Sequence, residues 1–255
     1  MAAPCRSKIS EFSRRLAELY ITRYPFIAAL VFTMLCSERE QAGKPDTIPR
    51  ILIYIQFAAQ FLSATMMSFG GQRSLFALVA AVQTAVTSAV IHTSSTVYLP
   101  PWLVMRMIAR DAAVVGSFLI IASRVHEKHS KRYRLAHMYP LGCALVGIFF
   151  AAYAVQLFRD QQEAIAFLSH MPLATILQPV FCVCFICSGL ILASDNRDSM
   201  RKAPKLLIPL VILVLLFVEM DFNYWRSNRK VEFWNHIDQV LKMVNALASL
   251  LLISL

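Results

Sequence analysis

Eight apolar stretches divide this 255-residue chain, at 17–36, 51–70, 74–91, 102–123, 139–157, 173–194, 204–220 and 237–255. Each is long enough to cross a hydrocarbon core about 30 Å thick at about 1.5 Å per helical residue. Lipid offers no partners to backbone N–H and C=O groups, so the spans should be helices or a closed barrel, and apolar runs of this length favour helices. The expected fold is therefore all-α, a polytopic membrane bundle of about eight transmembrane helices. With 58% hydrophobic and 16% charged residues, little chain remains for a soluble domain, and any activity must lie in the bundle or its short loops.

The net charge of +10 reads as membrane topology, and no nucleic-acid partner is expected. Of the 25 Lys and Arg residues, fourteen fall in the N-terminal segment and the second, fourth and sixth loops, against seven in the alternate loops. The positive-inside rule then places both termini in the cytosol, in an endomembrane or the plasma membrane. The first residues hold no compact apolar core followed by a small-residue cleavage site, so the first span is expected to serve as its own insertion signal. The cysteines all avoid the expected non-cytosolic loops, which argues against structural disulfides.

The two halves resemble each other. Tyr24-Pro25-Phe26-Ile27-Ala28-Ala29-Leu30-Val31 matches Tyr139-Pro140-Leu141-Gly142-Cys143-Ala144-Leu145-Val146, and Gly116–Ser123 matches Ala248–Leu255. Four spans per unit would insert both copies in the same orientation, about a pseudo-two-fold axis along the membrane normal. The expected units are residues 1–123 and 139–255, joined by a basic cytosolic linker at 124–138 that attracts anionic lipid headgroups. Ala77, Ala81, Ala85 and Ala89 recur at every fourth position of span three and are expected to form a packing stripe. Pro25 and Pro140 are expected near helix starts, where a missing N–H costs little.

Ionisable residues within spans cost roughly 2.5–3.5 kcal/mol each at a helix centre, so their arrangement is the best pointer to function. Spans two, four, six and eight enter from the non-cytosolic side, and each places polar groups a short way in: Gln56 and Gln60; Arg106, Arg110 and Asp111; Gln178; Lys242 and Asn245. Span seven reaches the same surface with Glu219 and Asp221. Arg106 and Arg110, four apart, share a helical face that Glu219, Asp221 or Asp238 can neutralise. Two readings follow: buried pairs that orient helices, or a polar cavity that receives a ligand or peptide.

Residues 221–235 mix aromatics with charge and are expected to anchor at the membrane interface, with a partner surface as the alternative. His126 and His129 lack acidic or Cys neighbours that would complete a metal site. Cys182, Cys184 and Cys187 lie mid-span without a cationic neighbour in sequence to stabilise a thiolate, so packing is expected rather than redox chemistry. No Gly-rich phosphate loop, serine nucleophile motif or His-Glu metal motif occurs, and neither an enzyme nor a cofactor is expected.

Thr22-Arg23-Tyr24-Pro25-Phe26, Met67-Ser68-Phe69-Gly70, Gly116-Ser117-Phe118-Leu119 and above all Tyr224-Trp225 followed by Arg229-Lys230-Val231-Glu232-Phe233-Trp234-Asn235 resemble the transmembrane protein 101 family. The resemblance covers about residues 20–254 and implies a role in activating NF-κB signalling, with no catalytic residues to carry over. A more distant, fold-level likeness is to DoxX-like membrane proteins and the surfeit locus protein 4 cargo receptors. The leading expectation is a non-enzymatic multi-pass protein that regulates NF-κB signalling through other membrane proteins. The alternative is an endomembrane receptor for luminal cargo, or a small-solute carrier, using the polar layer. Epitope tags at both ends should be reached by antibody only after the membrane enclosing the cytosol is opened; a tag reached from the other face would reverse the assignment.

Overall fold

The computed structural model describes residues 3–43, 50–69, 72–95, 99–123, 137–194 and 196–254. Among these residues the chain forms helices and no strands: α1 (Ala3–Gln41), α2 (Arg50–Phe69), α3 (Arg73–Ser95), α4 (Pro101–Ala122), α5 (Met138–Arg159), α6 (Gln161–His170), α7 (Ala174–Leu192), α8 (Arg197–Val214) and α9 (Phe233–Ile253). Two π-helical turns, Leu215–Glu219 and Tyr224–Asn228, connect α8 to α9. The expected linker falls almost wholly on residues 124–136, outside the described residues, as do His126 and His129.

Six helices are long and apolar enough by themselves to cross a membrane: α1 from Ser10, α2, α3 as far as Val90, α5, α7 and α9. The two remaining expected spans depart from this composition for different reasons. Within its 22 residues α4 carries Arg106, Arg110 and Asp111, yet most of it is buried, these three residues included, so its charges meet protein rather than lipid. The charged opening of α8 leaves an apolar stretch that is completed by the first π turn. Most exposed positions along α2 and α7 are apolar, including Ile51, Leu52 and Ile55 and Ile176, Val180 and Val183, the composition a lipid-facing surface requires.

Several helix boundaries correct the sequence expectations. α1 starts well before its hydrophobic span, its early turns supported by Arg15 with Glu11 at 2.5 Å and Arg14 with Glu18 at 3.8 Å. Pro25 consequently lies inside a helix and leaves the Ile21 carbonyl without its intrahelical donor, whereas Pro140 does sit in the first turn of α5. Hydropathy marks the length of lipid crossed and is blind to helix that continues beyond it. α6 was not expected as a separate element. Asp160 caps it by accepting from the Gln162 backbone N–H at 2.9 Å.

The helices pack in the same order in the two halves. α1 lies on α2, α2 on α3 and α3 on α4; likewise α5 lies on α7, α7 on α8 and α8 on α9. α4 packs on α5 and α1 on α9, while α4 and α9 meet at the centre. Two glycine pairs set the closest approaches. A Cβ on Gly116 of α4 would stand 2.7 Å from the Gly142 carbonyl oxygen of α5, and one on Gly147 of α5 would stand 2.4 Å from the Gly189 carbonyl oxygen of α7. The expected alanine stripe holds only in part: Ala77 and Ala81 are buried, but Ala85 and Ala89 are exposed. A four-residue step turns the helix about 40° too far, so the inward face instead runs through Ala77, Ala81, Thr84, Ser88 and His92.

α1 and α9 are tied at one end by polar contacts. The Glu38 carboxylate accepts from the backbone N–H groups of Phe233 and Trp234 at 3.2 and 3.1 Å, supplying an N-terminal cap that α9 lacks locally. Arg39 pairs with Glu232 at 2.9 Å beside it. Gly147→Ala and Gly189→Ala should each force α5 and α7 apart, at a cost of roughly 1–3 kcal/mol. The check is the fraction of monodisperse protein that survives heating in mild detergent, which should fall for both variants and stay level for Val86→Ala, whose side chain is 57% exposed on the outer face of α3.

Candidate functional site

The buried charges divide into two connected groups, both built around α4. In the first, the Arg106 guanidinium donates to Glu163 of α6 at 3.0 Å and to Glu219 at 2.6 Å, and Arg110 donates to the other oxygen of Glu219. All four side chains are at most 1% exposed. One face of the Trp225 ring carries the Arg106 guanidinium at 3.9 Å, and the same indole stacks with His236 at 5.3 Å. Trp225 Nε1 donates to the Val218 carbonyl and His236 Nε2 to the Glu219 carbonyl, both at 2.8 Å. These are carbonyls at the end of the π turn, where intrahelical donors run out, so side chains from the following segment close the helix end. Trp225 is thus 1% exposed and works inside the bundle; the expected interfacial anchor is corrected at this residue.

The second group joins α3, α4 and α9. Lys242 Nζ lies 2.7 Å from Asp111 Oδ1 and 2.5 Å from Asp238 Oδ2. The other oxygen of Asp111 meets Ser88 Oγ at 2.6 Å and His92 Nε2 at 2.8 Å. This group lines a partly open cleft, with a cavity volume of roughly 80 Å³, walled by α1, α2, α3, α4 and α9. Gln56, Gln60 and Thr84 line it from the sides, with Tyr24, Ala28, Phe32 and Leu35 of α1 opposite. Among the described residues, Tyr24 Oη, Gln60 Oε1 and His92 Nδ1 have no hydrogen-bond partner although all three are buried.

The candidate residues therefore separate. Arg106, Arg110 and Glu219 form one buried group; Asp111 and Lys242 join the second, whose cleft also holds Gln56 and Gln60. Gln178 is taken up by the Leu157 carbonyl at 2.8 Å, a tie between α7 and α5. Asn245 donates to Ser117 Oγ at 2.7 Å between α9 and α4. Asp221 does not neutralise either arginine: it meets His170 Nε2 at 3.0 Å and accepts from the Tyr224 backbone N–H, which holds its carboxyl below the ordinary range. Asp238 pairs with Lys242 instead of the arginines. Sequence reading missed Glu163 and His92. Glu163 sits in a connection between spans, and the capping spacing Asp160-Gln161-Gln162-Glu163 was its one signal. His92 would have emerged from following the 3.6-residue face of α3 from Ala77. Of the mid-span cysteines, Cys182 is buried with its thiol toward the Ala154 carbonyl at 3.6 Å, while Cys187 is exposed on the outer surface.

An all-helical bundle with apolar outer faces and charges gathered inside is a polytopic membrane protein. A family model matches residues 6–254, and the chain belongs to the TMEM101 protein family. No solved structure matches the chain. Because Glu219 serves both guanidinium groups, Glu219→Ala should destabilise by roughly 3–5 kcal/mol, the cost of leaving buried charge unpaired. Thermal unfolding should show a much smaller loss for Asp221→Ala, whose side chain is 41% exposed.

Proposed function

We propose that this protein is a non-enzymatic membrane receptor or carrier for a small solute, and that the cleft between α1, α2, α3, α4 and α9 is its binding site. The observation that carries this is a partly open cleft, with a cavity volume of roughly 80 Å³, that has unpartnered buried polar atoms of Tyr24, Gln60 and His92 among its lining residues. Ligand sites are typically concave and mostly apolar, with a few placed polar groups. The apolar side chains of α1 and the ionic cluster of α4 and α9 supply both parts. With both termini cytosolic, the lining residues fall in the non-cytosolic half of the membrane, so the cleft would receive luminal or extracellular solute. The arginine group has a different part in this reading: its atoms are enclosed, and it fixes α4 against α6 and α8.

Regulation of NF-κB signalling, which the resemblance to the transmembrane protein 101 family implies, is a second reading. A solute receptor in an endomembrane could reach that pathway through other membrane proteins. Its test is an NF-κB reporter at matched expression. Activation by wild type and not by Gly147→Ala supports a function of the folded protein, and equal activation by both assigns the signal to stress from a misfolded bundle.

Thr84 lies midway along α3 and lines the cleft, while Val86 is 57% exposed on the outer face. In a chain otherwise free of cysteine, Thr84→Cys should react with a membrane-impermeant maleimide added from the non-cytosolic side, and Val86→Cys should not. No reaction at position 84 from either side would reduce the cleft to internal packing and end the receptor reading.

A further inference from the structure

The two buried groups differ in charge. Arg106 and Arg110 balance Glu163 and Glu219, and His236 stacks on the ring that already carries Arg106, a poor place for a further proton. In the cleft group, Lys242 faces both Asp111 and Asp238, so with His92 neutral the cluster holds one negative charge in excess. An isolated excess charge in a membrane interior is costly, and a cation or a proton relieves it. His92 is placed to take that proton. One ring nitrogen is on Asp111, and the other, Nδ1, has no partner among the described residues.

Building on the receptor reading, we infer that the cleft binds a small organic cation, an ammonium group carried on an apolar or aromatic body, and that this cation exchanges with a proton on His92. The groups facing His92 across the cleft bear this out element by element. α4 contributes Asp111 and α9 contributes Asp238 and Lys242; α2 contributes only the neutral Gln56 and Gln60. On α1, Tyr24 and Cys36 are uncharged, and Arg39 is already paired with Glu232. The excess carboxylate thus has no other cation assigned to it. The unpartnered Tyr24 Oη and Gln60 Oε1 are acceptors of the kind an ammonium head requires, and the rings of Tyr24 and Phe32 suit its positive charge. An inorganic divalent ion would need a fuller set of oxygen ligands than this half-apolar lining offers.

The experiment uses the full chain purified in mild detergent and three probes of similar size: 2-phenylethylammonium, 2-phenylethanol and phenylacetate. The primary ammonium keeps its charge and its N–H donors throughout pH 5 to 8, so any pH dependence there belongs to the protein. 2-Phenylethylammonium should bind and raise the melting temperature, while the neutral and anionic probes should not. Its affinity should rise with pH, by at most about tenfold per unit, and then level off, as competition with one proton requires. His92→Gln should bind the cation with no pH dependence from pH 5 to 8, and Asp238→Asn should weaken binding at least tenfold while unfolding at a temperature close to wild type. Equal binding of 2-phenylethanol or phenylacetate would overturn the cation assignment while leaving a solute site in place. Binding of the cation that is flat with pH in wild type would overturn the proton exchange. Failure of the cation to bind while Thr84→Cys remains open to maleimide would overturn the inference alone; a closed Thr84→Cys would remove the receptor reading beneath it.

Discussion

Glu219 lies between two guanidinium groups in a region where neither water nor lipid headgroups can solvate it, and the arrangement of the second half of the chain follows from that position. Three charges on α4 can stay in the membrane only if protein surrounds them, so α4 becomes the helix that others enclose. The π turn at Leu215–Glu219 ends α8 where its last residue meets both arginines, and π turns of this kind often occur where a helix is adjusted to serve a site. Trp225 and His236 then close the carbonyls left at that end. α6 is brought in by the remaining valence of Arg106 through Glu163.

The two ionic groups show how the same cost can be met in two ways. The arginine group is satisfied by matched charge and is sealed. The Asp111–Lys242–Asp238 group is satisfied less completely and borders open space. Buried polar networks that are fully paired contribute rigidity, and those left partly unpaired have a use only if something else completes them. That contrast, more than the presence of charge in the membrane, separates a packing element from a binding site here.

Much of the architecture was legible in the hydropathy of the chain because lipid removes most alternatives: apolar stretches of this length leave only helices. Helix ends were less legible. Nothing in the apolar pattern marks where α1 begins, and Pro25 was misplaced for that reason. The candidate polar layer was found by depth, but depth alone could not partition it. Gln178 and Asn245 share the depth of Lys242, yet one holds a backbone carbonyl and the other a serine, and only rotation about each helix axis decides which neighbour a side chain meets. Trp225 failed for the opposite reason: its composition suits an interface, and a fully buried arginine beneath it was not visible from local sequence.

The pairs that neutralise α4 are distant in the chain. Glu219 comes 109 residues after Arg110 and 113 after Arg106, and Lys242, the cation for Asp111, belongs to the last helix. During synthesis, therefore, α4 emerges from the ribosome long before its counter-charges exist. Until then Arg106 and Arg110 lack Glu219 and Asp111 lacks Lys242, although Asp111 already has Ser88 and His92 of α3 within reach and Arg106 gains Glu163 when α6 is made. The order of translation thus becomes part of the folding problem: the first half of the chain is a provisional structure, and the final helix both closes the bundle and releases α4 from whatever has sheltered it.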